Sequence, residues 1–317
     1  MLTAAVAFVA ALAASSILTP RIRAAATERG LLDEPDERKV HEVAIPRLGG
    51  VAIVGALYIG VGAALLVALR VEPSLTVLSG DLPVILLGTA LVAGVGIVDD
   101  LYSTRARTKL AAQVAIAVVA VGLGLSVDRL DGPWGTFALG AWAAPVTVAW
   151  IVAVVNAVNL IDGLDGLASG VALTAMGALF VIASSAGATP PYLIVLAACA
   201  GGVIGFLRFN LPPASIIMGD SGAMLLGFVI AAVGVSVTQT PPIGAPPWVP
   251  AVAIGLPLTD TVWAVLRRLA AGEPIFAPDK RHIHHQLLAA GLSQRAVMLL
   301  LWVVSAGLGL IAIALAR

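Results

Sequence analysis

The sequence predicts an all-α integral membrane protein of about ten transmembrane helices, folded as a single domain over residues 1–317. Three observations predict it. The first is composition: 60% of the residues are hydrophobic, only 11% are charged, and the mean hydropathy is +1.03. A soluble domain carries about 25% charged residues, and a chain with so few cannot cover a water-facing surface. The second is the length of the apolar runs. A helix needs about 20 apolar residues to cross a hydrocarbon core about 30 Å thick. The third is the way Lys and Arg divide between the connections.

Taken in order, the spans fall at roughly 1–19, 48–69, 82–98, 109–127, 142–160, 164–184, 190–207, 221–238, 247–266 and 296–316. The first lacks the basic leader of a cleaved signal peptide and reads as a span. Spans five and six are joined by very little chain. Gly163 and Gly166 predict the break between them, because glycine removes the side-chain constraint that keeps a helix running. Pro241, Pro242, Pro246 and Pro247 mark the connection before span nine. Cys199, the single cysteine, lies inside an apolar run and reads as a small buried residue. Abundant Ala, Gly and Leu suit close helix packing in lipid.

Fifteen of the eighteen Lys and Arg fall in alternate connections, at 20–47, 99–109, 208–220 and 267–295. The positive-inside rule places those connections in the cytoplasm and both termini outside, which requires an even number of spans. The formal net charge is zero, so nothing points to a nucleic-acid partner.

The polar clusters choose the same side. Asp99 and Asp100 end span three, with Arg105, Arg107 and Lys109 following. Two adjacent carboxylates repel unless a cation lies beside them, so the stretch suits a metal together with phosphate, or else a plain acidic cap. Asn156, Asn159, Asp162 and Asp165 recur every third residue across the predicted break. Folded back there, two amides and two carboxylates converge. Helix capping by Asp162 or Asp165 would explain one of the four. Asp220 precedes an apolar helix and reads either as its N-cap or as a ligand to a hard cation. His282, His284 and His285, flanked by Lys280 and Arg281, suit an anion better than zinc, since no Cys cluster or H-E-x-x-H accompanies them. Asp260 lies within span nine.

Five segments resemble one family, the polyprenyl-phosphate N-acetylhexosamine-1-phosphate transferases. They are DEPDERKVHEVAIPRLGG at 33–50, VDDLYSTRARTK at 98–109, NAVNLIDGLDG at 156–166, NLPPASIIMGDSG at 210–222 and DKRHIHHQL at 279–287. The resemblance implies a membrane enzyme that moves a sugar 1-phosphate from a UDP-sugar to a polyprenyl phosphate, releasing UMP and starting a cell-envelope polymer. It implies Mg²⁺ as cofactor, with Mn²⁺ as a substitute, held by Asp220 and Asp162. It makes Asp99, Asp100, Asp162 and Asp220 the catalytic set, with a covalent intermediate on Asp99 as an alternative to direct attack. It assigns substrate contacts to Asn156, Asn159, Asp165, His282, His284 and His285, and phosphate or substrate contacts to Lys39, Lys109 and Arg208. Relatives that use UDP-MurNAc-pentapeptide usually carry three consecutive histidines. The H-I-H-H here resembles relatives that use UDP-GlcNAc. The implied location is the cell membrane, with the site facing the cytoplasm; the sequence leaves open whether a homodimer forms. Two other readings stand beside it. An ion-coupled transporter would place carboxylates near mid-bilayer, and a prenyltransferase would need D-D-x-x-D, which fails at Ser103.

Overall fold

A computed structural model describes residues 1–34, 43–71, 80–132, 135–185, 191–240, 243–274 and 281–316. The chain is helical almost throughout. In order, the helices are α1 (Leu2–Glu28), α2 (Gly49–Val71), α3 (Leu82–Tyr102), α4 (Ala106–Gly122), α5 (Ala143–Ile161), α6 (Leu167–Ser185), α7 (Tyr192–Asn210), α8 (Gly219–Gln239), α9 (Trp248–Ala253), α10 (Gly255–Ala271), α11 (Ile283–Ala289) and α12 (Gln294–Leu315). Two small antiparallel hairpins interrupt them. One pairs β1 (Leu32–Asp33) with β2 (Ile45–Pro46), and the other pairs β3 (Arg129–Gly132) with β4 (Gly135–Ala138).

Each of the ten predicted apolar runs contains a helix. Among the described residues, eight helices are long and apolar enough to cross a membrane: α1, α2, α3, α5, α6, α7, α8 and α12. Helix α4 has 17 residues. The expected ninth span, 247–266, is not one helix. It breaks at Ile254 into α9 and α10. Pro257 has no N–H to give Ala253, and its ring crowds the carbonyl four residues back, which favours a break here, whereas α1 accommodates Pro20 without one. Three other boundaries also differ, one being α4, which ends at Gly122, five residues short of the expected 127. Helix α1 continues nine residues past the expected end at 19, with Pro20 inside it, and so carries Arg21 and Arg23 on a helix rather than a loop. Helix α10 continues to Ala271, five residues past the expected end.

Helix α8 is the axis of the bundle. Every residue from Ser221 to Thr238 is buried, so it is apolar all round and surrounded by protein. It packs against α3, α5, α2 and α6. Glycines set how closely its neighbours approach. A Cβ on Gly96 of α3 would lie 2.4 Å from the Ser221 Cα, and one on Gly227 would lie 2.7 Å from the Val155 Cα of α5. Gly88 meets Phe228 at the other end of the same contact, so α3 and α8 run antiparallel. The C-terminal ends of α3 and α5 are thereby brought to the N-terminal end of α8. Helix α4 turns back from α3 at Ser103, whose φ is +50°, and joins them. Four helix ends meet at one end of the bundle, and most of the polar residues singled out above lie there.

Candidate active site

The meeting point is an open cavity of about 460 Å³, within the range of small-molecule sites, about 300–1,000 Å³. Carboxylates from four separate segments line it: Asp99 and Asp100 from α3, Asp162 and Asp165 from the α5–α6 turn, Asp220 from α8, and Asp33 from β1. His285, from α11, lies on the same wall.

The two adjacent carboxylates of α3 have different partners. Asp100 turns toward α8, where its Oδ1 accepts from the Asp220 N–H at 2.7 Å and its Oδ2 from the Ser221 N–H at 3.1 Å. It therefore closes the N-terminus of α8, two of whose first N–H groups would otherwise lack acceptors. Gly219, at φ +74°, is required there, because a Cβ would lie 2.6 Å from Asp100 Oδ1. Asp99 faces the other way. It accepts from the Thr104 N–H at 3.0 Å, from the Thr104 hydroxyl, and from the Lys109 ammonium at 3.3 Å. The same ammonium bonds Asp220 Oδ2, and Asn159 Nδ2 donates to Asp220 Oδ1 at 3.0 Å. Lys109 of α4 and Asn159 of α5 thus hold the Asp220 carboxylate between them.

The α5–α6 turn is fixed from outside. Asp165 Oδ2 accepts from the Ala214 N–H at 2.9 Å, and Asn210 Oδ1 from the Gly166 N–H at 3.0 Å. Gly166 has φ +72°, which glycine adopts without strain. The helix break expected at Gly163 and Gly166 is present. Among the described residues Asp162 has no such support: burial, and the negative charges of Asp220, Asp100 and Asp165, push its carboxyl up to about 8.

The histidines divide by role. His282 is buried, and its Nδ1 lies 2.8 Å from Asp260 Oδ2; Asp260 Oδ1 also accepts the Ile283 N–H that starts α11. His284 is buried against Gly163, where a Cβ would meet its Nε2 at 2.4 Å, and among the described residues neither of its ring nitrogens has a hydrogen-bond partner. Burial, then the charges of His285 and His282, lower its pKa to about 3. Only His285 of the three lines the cavity.

The structure therefore gathers Asp99, Asp100, Asn159, Asp162, Asp165, Asp220 and His285 around one space, with Lys109 bridging two of them. It does not bring Asn156, Arg208, His282 or His284 to the cavity surface. Asn156 lies a helical turn deeper and donates to Gln113 Oε1 at 2.6 Å. The Arg208 guanidinium stacks over the Phe209 ring at 5.3 Å. Lys39 lies outside the described residues. Sequence reasoning missed Asp33, Arg47, Thr104 and Asn210, all of which line the cavity. Arg47 and Thr104 stand inside the quoted segments, and Asp33 and Asn210 each open one, so their signal was position rather than charge.

A helical membrane fold with carboxylates, amides and a bridging ammonium around one open cavity at its helix ends defines a class: a polytopic membrane protein with a polar small-molecule site. The family model for glycosyl transferase family 4 matches residues 82–238. Similar proteins cover nearly the whole chain. A probable undecaprenyl-phosphate N-acetylglucosaminyl 1-phosphate transferase of Bacillus subtilis is 37% identical over 96% of this chain and 82% of its own length. A decaprenyl-phosphate N-acetylglucosaminephosphotransferase of Mycobacterium leprae is 36% identical, over 85% and 73%. An undecaprenyl-phosphate alpha-N-acetylglucosaminyl 1-phosphate transferase of Yersinia pestis is 31% identical, over 92% and 78%. The chain belongs to glycosyl transferase family 4.

Proposed function

We propose that this protein transfers N-acetylglucosamine 1-phosphate from UDP-GlcNAc to a polyprenyl phosphate, releasing UMP and leaving a lipid diphosphate sugar. The observation that carries the reading is the convergence of Asp99, Asp162, Asp220 and His285, from four separate segments, on one cavity. That the similar proteins are named for GlcNAc 1-phosphate transfer to undecaprenyl or decaprenyl phosphate supports this donor over a pentapeptide-bearing one. A transporter reading is disfavoured, since the carboxylates gather at helix ends and Asp260 is engaged by His282. The ten apolar segments, with α9 and α10 as a broken ninth, are read as crossing the cell membrane. The Lys and Arg distribution supports a cavity that faces the cytoplasm.

The chemistry follows from charge. The acceptor phosphate is largely a dianion near neutral pH, its second pKa being about 6, so it needs little deprotonation to act as nucleophile. One of its oxygens forms a bond to the phosphorus bearing the sugar, and the bond from that phosphorus to the UMP oxygen breaks. The obstacle is repulsion between two anions in a cavity already rich in carboxylates. Lys109 offsets part of it beside Asp99 and Asp220. Asp100 fixes the α8 N-terminus, so that Asp220 is held in place before substrate arrives, and Asn159 orients its carboxylate. Positioning and charge neutralisation supply most of the rate in such transfers.

Mg²⁺ fits the donor set. Among the described residues no group of three His, Cys, Asp or Glu side chains is placed to hold a metal ion; Mg²⁺ can bind through one or two carboxylates and complete its shell with phosphate oxygens and water. The raised Asp162 supports the same view: its acidity is suppressed by burial and three neighbouring carboxylates, a setting that a hard dication relieves. Asp220 and Asp162 would hold the ion, which would neutralise charge on the diphosphate.

UMP release by the purified protein, with UDP-GlcNAc and UDP-MurNAc-pentapeptide compared as donors, tests the reading. Turnover with UDP-GlcNAc that stops in EDTA and returns with Mg²⁺ is the expected result. Equal turnover in excess EDTA removes the metal, and preference for the pentapeptide donor removes the proposed substrate.

A further inference from the structure

The cavity wall holds six carboxylates, and among the described residues Arg47 is the one Lys or Arg that lines it. We infer that the Arg47 guanidinium binds a phosphate group of one of the two substrates, with Asp33 as its positioning residue. This rests on the transferase reading and deepens it.

The placement of Arg47 is strongly determined. Its N–H donates to Leu31 O at 3.1 Å across the first hairpin, and the preceding Pro46 carbonyl accepts from Ile217 at 3.0 Å. Gly49 and Gly50 then donate to Ile217 O and Met218 O at 3.0 and 2.7 Å. The backbone around Arg47 is thus tied directly to the segment that leads into Asp220. Neither glycine tolerates a side chain: a Cβ on Gly49 would meet the Phe206 ring at 2.4 Å, and one on Gly50 the Gly222 nitrogen at 2.1 Å.

Between these anchors Leu48 adopts φ +75°. A branched, non-glycine residue resists that left-handed conformation, which persists only where its surroundings over-determine it, and such strain clusters at binding and catalytic sites. Here it lies beside the one guanidinium that, among the described residues, faces the cavity. One guanidinium nitrogen bonds Asp33 Oδ1, while the buried Nε–H has no acceptor among the described residues. The Arg47 side chain keeps 27% of its surface exposed while Asp33 orients it, so a cationic group faces a cavity otherwise walled by carboxylates, an arrangement suited to a charge-assisted bond to an oxyanion.

The donor diphosphate and the acceptor phosphate share this chemistry, and kinetics separates them. KM for UDP-GlcNAc and for a short-chain polyprenyl phosphate, and Kd for each by calorimetry in detergent, are measured for wild type, Arg47→Gln, Arg47→Lys and Asp33→Asn. Loss of a charge-assisted bond to phosphate raises the KM and Kd of one substrate about 10- to 100-fold in Arg47→Gln. Arg47→Lys, which keeps the charge without the fork, recovers part of the loss. Asp33→Asn gives a smaller rise in the same constant. A rise confined to UDP-GlcNAc assigns the contact to the diphosphate, and one confined to the lipid assigns it to the acceptor. If Arg47→Gln and Arg47→Lys, both folded by thermal melt, leave all four constants within twofold of wild type, the inference is wrong, whatever happens to kcat. A wild-type protein that binds both ligands but releases no UMP rejects the transferase reading, and the Kd values still decide the role of Arg47.

Discussion

Asp99 and Asp100 are neighbours in the chain, yet the structure gives them different work, and one pair of substitutions separates it. In Asp100→Asn, the amide keeps one oxygen for the Asp220 N–H. Its NH₂ then meets the Ser221 N–H that Oδ2 now accepts at 3.1 Å. The variant loses a bond to a charged group, about 1.5–3 kcal/mol, and leaves buried donors facing each other, about 1–3 kcal/mol more. The summed cost is about 2.5–6 kcal/mol. In Asp99→Asn, the amide oxygen still accepts from Thr104, and the principal loss is the 3.3 Å contact to Lys109, which Asp220 also holds. That change costs at most about 1–2 kcal/mol. Thermal melts of both variants in one detergent, followed by intrinsic tryptophan fluorescence, read the difference. The expected order is wild type, closely followed by Asp99→Asn, with Asp100→Asn lower by at least about 5 °C. Both lose UMP release. An Asp100→Asn protein that melts with wild type, or above Asp99→Asn, would show that Asp100 does not hold the start of α8.

Three further outcomes are expected. Asp220→Asn stays folded and membrane-inserted but loses activity by at least about 100-fold, as removal of a preorganised electrostatic group does; UMP release by variant protein normalised to folded fraction checks it. His284 binds its proton less readily folded than unfolded, where its pKa is about 6.5. Its contribution is complete above that value and lost as pH falls through it toward the folded pKa of about 3. By pH 5 this amounts to about 2 kcal/mol, so the stability of His284→Gln relative to wild type should rise by that much between pH 7 and pH 5, as read by denaturant melts. Gly163→Ala drives a Cβ to 2.4 Å from His284 Nε2 and should destabilise by about 1–3 kcal/mol. A double-mutant cycle with His284→Ala should recover at least about 0.5 kcal/mol, and strict additivity would place the strain elsewhere.

The helices were legible because lipid imposes a simple rule. Every backbone polar group must be satisfied within its own segment, so an apolar run of sufficient length declares a helix. The α5–α6 break was legible for a comparable reason, since Gly163 and Gly166 remove the local constraint that would carry the helix through. The break at Ile254 was less visible, because the apolar run continues across it. Pro257 acts on the backbone, and hydropathy does not register a missing N–H.

Residue type alone determined that carboxylates, amides and histidines gather among the connections carrying Lys and Arg, and that their chemistry suits phosphate. It could not assign partners. Asp99 and Asp100 differ in role because successive residues on a helix point about 100° apart, so one meets Lys109 and the other α8. His282, His284 and His285 differ because α11 turns one toward Asp260, one into the interior and one to the cavity. Arg47 drew no notice among the basic residues of its connection until backbone pairing with Ile217 and Met218 fixed it beside Asp220. Hydrophobicity and charge are properties of single residues and survive in a linear string. Direction and long-range pairing are properties of the packed chain, and only the tertiary structure decided them.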